Sequence, residues 1–176
     1  MLFRSLAPLA LLSLPAAASA QEVFAGVLAH GVGTPLTFDT GEGGTDFQLG
    51  VRGDPILNAG VASLRPYAFV SANSRGDTDF AAAGLSLQIG LGGWFVRPGI
   101  GVAVRDGPSY RVDPATNVRT DLGSRVLFEP ELGIGVNILP RITAEATWTH
   151  LSHAQVFGPQ NPGLDMIGGR VSIALP

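Results

Sequence analysis

The strongest constraint on the fold is a two-residue alternation of side-chain character in the second half of the chain. Between residues 93 and 105 one alternate set is apolar, and the other carries arginine and glycine beside Phe95 and Ala103. Residues 124–137 repeat the pattern, with glutamate and glycine in the second set. A period of two is that of a β-strand, whose successive side chains point to opposite faces. The mixed face suits the narrow inside of a small barrel, where charged residues can pair. The candidates for such pairing are Arg97, Arg105, Glu129, Glu131, Glu145 and Arg170.

The same pattern predicts eight strands along the chain. They cover residues of about 22–30, 45–52, 62–72, 79–90, 93–105, 124–137, 140–152 and 165–175. The connections after the first, third, fifth and seventh strands are mostly long and rich in Gly, Asp, Asn and Pro, whereas most of the others are short. Outer-membrane barrels have this arrangement, and an even strand number leaves no sheet edge exposed to lipid. We therefore predict an all-β fold, an eight-stranded antiparallel transmembrane β-barrel of the outer-membrane type.

A soluble sandwich or lipocalin-like barrel is the alternative, since alternation alone does not say which face points outward. Residues 1–20 favour the membrane, because they resemble a secretory signal peptide with Arg4, the apolar run Leu6–Leu14 and the small residues Ala18-Ser19-Ala20. We predict cleavage there, a barrel over residues 21–176, and location in the bacterial outer membrane. The low charged fraction of 14% agrees with this.

Composition also excludes several functions. The chain has no cysteine, so disulfides, thiol catalysis and cysteine-ligated zinc are excluded. A formal charge of −3 gives no basic field for nucleic acid. The three histidines do not have the spacing of a metal site, and the chemistry considered below requires neither a metal nor another cofactor.

The residues of a serine hydrolase stand together near the end of the chain. His150 and Ser152 are two positions apart on the seventh predicted strand and so share a face, and Asp165 opens the eighth strand. A hairpin would bring the Asp165 carboxylate beside the pair. That face is the apolar one, which carries Trp148 and Ala146. A catalytic group on a lipid-facing surface would act on a lipid.

This region resembles the lipid A 3-O-deacylase family (PagL), whose motif is a His-x-Ser-Asn sequence followed by Asn-Pro-Gly and a carboxylate. The matching residues are His150, Ser152, Asn161-Pro162-Gly163 and Asp165. The resemblance implies Ser152 as nucleophile, His150 as general base and Asp165 as the acid that orients the imidazole. Asp165 is one methylene shorter than the family's usual Glu. His153 replaces the family's Asn, which the resemblance implies as an oxyanion donor.

The resemblance implies removal of the 3-O-linked acyl chain of lipid A (lipopolysaccharide) at the outer leaflet, with outer-membrane lipid as the surroundings. His153 could donate to the oxyanion, and Asn161 could position the acid or the ligand or serve only as a turn residue. A non-catalytic structural or adhesin barrel stays open, as does an outer-membrane lipase acting on another lipid ester. The sequence also leaves a homodimer open.

Overall fold

The computed structural model describes residues 20–112, 114–115, 117, 119–121, 123–156 and 160–176. The predicted signal peptide lies outside these residues except for Ala20, which begins the first strand. Within this part of the chain there are eleven β-strands. They are β1 (Ala20–His30), β2 (Thr45–Gly53), β3 (Leu57–Ala59), β4 (Ala62–Asn73), β5 (Phe80–Leu91), β6 (Trp94–Arg105), β7 (Tyr110–Val112), β8 (Arg119–Asp121), β9 (Val126–Leu139), β10 (Ile142–Leu151) and β11 (Leu164–Ala174).

Eight of the described strands form a closed antiparallel barrel. Each pairs with its neighbour along the chain in the order β1, β2, β4, β5, β6, β9, β10, β11, and β11 pairs with β1 to close the sheet. Closure satisfies the backbone hydrogen bonds of every strand, which a membrane-spanning sheet requires. The predicted eight-stranded barrel is therefore confirmed, with strand ends within two residues of those expected.

Three short strands were not expected from the sequence. The strand β3 pairs with the start of β4 at the end of the barrel with short turns. The strands β7 and β8 form a small separate hairpin in the connection between β6 and β9. In the described residues, no helix is long and apolar enough to cross a membrane.

The apolar set of side chains points outward. Members of this set remain strongly exposed, from 40% at Leu132 to 64% at Leu49. The exposed apolar residues of the barrel wall include Val27, Phe47, Val70, Ile100, Val102, Val104, Ile134, Val171 and Ile173. A soluble barrel would have the opposite arrangement, so the exposed apolar wall supports the membrane interpretation.

The inside of the barrel holds a network of buried ion pairs. Glu145 accepts hydrogen bonds from Arg97 Nη1 at 2.5 Å and Arg52 Nη2 at 3.0 Å, and Arg52 Nη1 also donates to Glu22 at 2.5 Å. Arg170 Nη1 donates to Glu131 at 2.6 Å. The predicted pairing inside the barrel is thus found for Arg97, Glu131, Glu145 and Arg170. Glu129 instead accepts a hydrogen bond from the Tyr67 hydroxyl, and Arg105 donates to main-chain oxygens including that of Pro108 at 2.9 Å.

The long connections all leave from the same end of the barrel. They join β1 to β2, β4 to β5, β6 to β9, and β10 to β11. This end also holds the last residues of β10 and the first residues of β11. We call it the outer end, because outer-membrane barrels carry their long loops on the outside.

Candidate active site

His150 and Asp165 form a direct cross-strand pair in the β10–β11 hairpin. Directly opposite residues of an antiparallel ladder have Cβ atoms about 4.5–5.5 Å apart, so their side chains can meet without rearrangement. His150 Nδ1 lies 2.6 Å from Asp165 Oδ1. The shorter carboxylate of aspartate therefore reaches the imidazole, because the register places it directly opposite.

The Asp165 carboxylate is fully buried and accepts hydrogen bonds on both oxygens. Its Oδ1 accepts from the Trp148 indole N–H at 2.9 Å as well as from His150. Its Oδ2 accepts from the hydroxyl of Thr34, which lies in the β1–β2 loop. Three donors from the described residues therefore fix the orientation of this side chain, and a charged acceptor makes each bond stronger than a neutral one.

The His150 ring is held on two sides. Trp148 stacks against it with ring centroids 5.7 Å apart and 25° between the planes. On another side lies Gly163, at which a Cβ atom would come within 2.8 Å of His150 Cε1. An ionised carboxylate can only accept, so Nδ1 carries the proton and Nε2 is the nitrogen with a free lone pair. In this tautomer the ring can act as a base through Nε2.

Ser152 directly follows β10 and forms one further β-bridge, to Phe128 of β9. Its backbone exchanges hydrogen bonds with Phe128 of β9, at 2.7 Å from Phe128 N to Ser152 O and 3.1 Å in the reverse direction. The bridge keeps the register of the β9–β10 ladder, so Ser152 and His150 point to the same side of the sheet. The Ser152 side chain is half-buried, and its hydroxyl makes no hydrogen bond to any residue that the structure describes, His150 included.

His153 and Asn161 close the connection that follows Ser152. The His153 backbone N–H donates to Asn161 Oδ1 at 3.1 Å. The His153 ring is 1% exposed and packs against Gly123, where a Cβ would lie 2.4 Å from two ring atoms. Its parity is that of the inward residues Thr149 and Leu151, opposite to Ser152. The structure thus brings Asn161 to the main chain of His153 and turns the imidazole toward the inside of the barrel.

Sequence reasoning missed two residues that contact the Asp165 carboxylate. Thr34 is 131 positions away from Asp165, and no local pattern marks it. The sequence placed Trp148 on the apolar face without a role in the site, but its indole N–H donates to Asp165. Beside these residues the β1–β2 loop and the start of β11 line an open cavity of about 340 Å³. Its lining includes Thr37, Phe38, Thr40, Gly163 and Asp165.

A second polar cluster lies inside the barrel at the outer end. His30 bonds through Nδ1 to Asp46 at 2.9 Å and through Nε2 to Glu42 at 2.8 Å. Burial by itself raises the pKa of the Glu42 carboxyl, but hydrogen bonds from His30 and Thr78 hold the pKa below its usual value. Nearby, Arg111 Nη2 donates to Asp77 Oδ1 at 2.5 Å. In the described part of the chain, no group of three or more His, Asp or Glu side chains is arranged to hold a metal ion.

Comparison with known proteins identifies the family of the chain. Residues 33–174 match the sequence profile of the family described as Lipid A 3-O-deacylase (PagL). The crystal structure of the outer membrane enzyme PagL is similar, with a TM-score of 0.62 and 20% identity, and the match covers 88% of this chain and 99% of that chain. The crystal structure of Neisserial surface protein A has a TM-score of 0.52 at 9% identity, over 88% of this chain and 96% of that chain. No curated protein sequence matches the chain. The structural likenesses bear on the fold, and the profile spans most of the sequence, so the chain belongs to the lipid A 3-O-deacylase (PagL) family of outer-membrane enzymes.

Proposed function

We propose that this protein removes the 3-O-linked acyl chain of lipid A, with Ser152 as nucleophile, His150 as general base and Asp165 as the acid that orients His150. The proposal rests on family membership and on one contact above all, the 2.6 Å hydrogen bond between His150 Nδ1 and Asp165 Oδ1. A buried carboxylate bonded to Nδ1 is the arrangement that makes an imidazole a base through Nε2.

The position of these residues favours a lipid as substrate. All three have the parity of the outward, apolar face of the barrel, at its outer end. Nearby members of that face are Phe128, 40% exposed, and Ile167, 43% exposed. Lipid A lies in the outer leaflet, so its acyl chains can lie along this wall while an ester approaches Ser152.

The reaction follows the general course of serine esterases. The Ser152 Oγ attacks the ester carbonyl carbon while His150 Nε2 takes the hydroxyl proton. The tetrahedral intermediate collapses, and His150 returns the proton to the departing 3-oxygen of the glucosamine. Water, deprotonated by His150, then attacks the acyl-enzyme and releases the fatty acid. Asp165 stays ionised throughout and stabilises the imidazolium formed in each half-reaction.

The missing hydrogen bond between Ser152 and His150 is compatible with this course. Catalytic hydrogen bonds are often long or misaligned without substrate and tighten in the Michaelis complex. The Ser152 hydroxyl is free of other partners among the described residues, so rotation about one side-chain bond changes its direction without breaking a contact.

The proposal includes Asn161 as a positioning residue and His153 as oxyanion donor. Asn161 fixes the main chain directly after the nucleophile through its bond to His153 N. For the His153 ring to donate to the oxyanion, it has to leave its contact with Gly123 and turn toward Ser152. His153→Ala should then raise the activation free energy by about 3 kcal/mol. His153→Asn restores an amide donor and should lower turnover only slightly.

The decisive experiment is the mass spectrum of lipid A from cells expressing the wild type or Ser152→Ala. We expect the wild type to remove one 3-O-linked acyl chain and the variant to leave lipid A intact. His150→Ala should be equally inactive, and the double variant hardly worse, because the pair acts as a unit. Identical spectra from wild type and Ser152→Ala would favour a non-catalytic barrel. Fatty acid released from phospholipid, with lipid A unchanged, would favour a different lipase.

A further inference from the structure

The β1–β2 loop is tied by its main chain to the segment that begins β11. Val32 N–H donates to Asp165 O at 2.9 Å, and Phe38 N–H donates to Pro162 O at 2.8 Å. Two backbone bonds on either side of Thr34 therefore hold residues 32–38 alongside residues 162–165. This contact brings the Thr34 side chain to the Asp165 carboxylate.

The direction of the Thr34 hydrogen bond is set by its other contacts. The hydroxyl oxygen accepts the Leu36 backbone N–H at 3.0 Å. The Thr34 backbone N–H donates to Thr37 Oγ1 at 3.1 Å, which fixes the residue in the turn. A hydroxyl has a single proton, and no other acceptor in the described residues takes it, so Thr34 donates that proton to Asp165 Oδ2.

The two carboxylate oxygens thus have separate tasks. Oδ1 accepts hydrogen bonds from His150 and Trp148, and Oδ2 accepts one from Thr34. The carboxylate of an aspartate can rotate about its Cβ–Cγ bond, and this torsion has only a broad preference of its own. Rotation here breaks hydrogen bonds on both oxygens at once. Without Thr34 the contacts on Oδ1 alone define the plane of the group.

We propose that Thr34 is a positioning residue for hydrolysis, which acts through Asp165 by holding the carboxylate in the plane that meets His150 Nδ1. This inference rests on the proposed function, because it assigns Thr34 a part in the work of the Ser152, His150 and Asp165 group. It makes the β1–β2 loop a component of the active site, although the sequence places that loop far from it.

The test is a mutant cycle on the full-length protein in detergent, with lipid A as substrate and fatty acid release as readout. Thr34→Val keeps the side-chain shape and removes the hydroxyl, and it should lower kcat about tenfold or more, with KM little changed. Thr34→Ser restores the donor and should return kcat close to the wild-type value. In an Asp165→Asn background, Thr34→Val should cause no further loss, because its effect passes through the carboxylate.

A matched control removes a hydroxyl at the other end of the barrel. Thr143→Val makes the same chemical change near the start of β10, at a buried hydroxyl without a hydrogen-bond partner among the described residues. It should retain wild-type kcat. If Thr34→Val also reduces the fraction of protein that migrates as a folded, heat-modifiable barrel on gels, the same cycle with Asp165→Asn is repeated with Thr34→Ala, and kcat is expressed per folded protein.

Three outcomes would overturn the inference. Wild-type kcat in Thr34→Val with an inactive Asp165→Asn would reject a role for Thr34 and leave the proposed function standing. A Thr34→Val loss that multiplies with the Asp165→Asn loss would assign Thr34 a role independent of the carboxylate. Full activity in Asp165→Asn would reject Asp165 as the acid, and the proposed function would then fail together with the inference.

Discussion

Trp148 and His150 lie face to face on the outer side of β10, and both donate a hydrogen bond to the same oxygen, Asp165 Oδ1. The two residues are one strand period apart, so the stack is a direct product of the β-geometry. The indole therefore restrains the imidazole by stacking on its face, and it restrains the carboxylate by the hydrogen bond from its N–H. An aromatic residue at a membrane interface often serves as an anchor, but the N–H of Trp148 donates to the carboxylate of the site.

Trp148→Phe should separate these two effects. Phenylalanine keeps a ring for the stack and removes the N–H, so a hydrogen bond to a charged group is lost. We expect kcat/KM to fall by about tenfold or more, in line with a contribution of about 1.5–3 kcal/mol for such a bond. Trp94→Phe is the matched control, because Trp94 is 61% exposed at the other end of the barrel. Equal activity of the two variants would show that the indole N–H has no part in hydrolysis.

Substitutions of Asp165 test the proposed acid. Asp165→Asn keeps the shape but brings an amide into a site where His150, Trp148 and Thr34 all donate, and it removes the charge that stabilises the imidazolium. In serine proteases the corresponding change lowers kcat by about 10⁴. Asp165→Glu keeps the carboxylate, and we expect partial activity because the extra methylene costs about 1–3 kcal/mol in a fully buried site. Fatty acid release from lipid A measures both, and an Asn variant as active as the Glu variant would argue against this assignment.

The barrel and its two faces could be predicted because a strand has a local and regular period. Residues such as Arg97, Glu145 and Arg170 alternate with apolar neighbours, and the structure buries them while leaving Ile100 and Val171 exposed. The pairing of His150 with Asp165 followed from the same period, once a hairpin joined their strands.

Contacts made by the loops could not be predicted in this way. Thr34 meets Asp165 across 131 residues, and the loop conformation that allows it depends on backbone bonds to Pro162 and Asp165. Arg105 was a candidate for ion pairing inside the barrel, and there it is 4% exposed and donates to main-chain oxygens of the β6–β9 connection. A polar residue in a loop could bond to many groups elsewhere in the sequence that have the same donors and acceptors. Which of them lies within reach is determined only by the folded structure.

Glu145→Gln should affect the barrel rather than the chemistry. Glu145 accepts from Arg97 and Arg52 inside the barrel, so an amide there removes a carboxylate that both buried guanidinium groups share. Among the described residues, only Glu22 then lies within 4.0 Å of them as a counter-charge. Breaking a buried ion pair from one side costs about 3–5 kcal/mol. We expect a lower temperature for the heat-induced gel shift, with kcat unchanged at temperatures where the barrel is folded. Asp39→Asn also replaces a carboxylate by an amide, on an exposed loop residue, and should leave the temperature of the gel shift unchanged.

Gly163→Ala tests whether the Asn-Pro-Gly turn sets the position of the base. Gly163 has a φ of +67°, and an added Cβ would lie 2.8 Å from His150 Cε1, 3.1 Å from Leu36 O and 3.2 Å from Thr37 Cγ2. The neighbours therefore have to move, and the nearest is the imidazole itself. A displacement of about 1 Å in a catalytic group can lower the rate about 10²-fold, so we expect a loss of this order in kcat.

Gly60→Ala is a control that isolates the steric effect in this test. Gly60 has a φ of +64°, and no atom lies within 4 Å of its built Cβ, so alanine there meets the same backbone strain without a clash. The backbone strain should cost each variant about 1–2 kcal/mol of stability, and Gly163→Ala should lose more because its neighbours have to move. Only Gly163→Ala should lose turnover, as measured by fatty acid release per folded protein. Equal turnover in the two variants would mean that His150 tolerates the added methyl group, and that the glycine serves the turn alone.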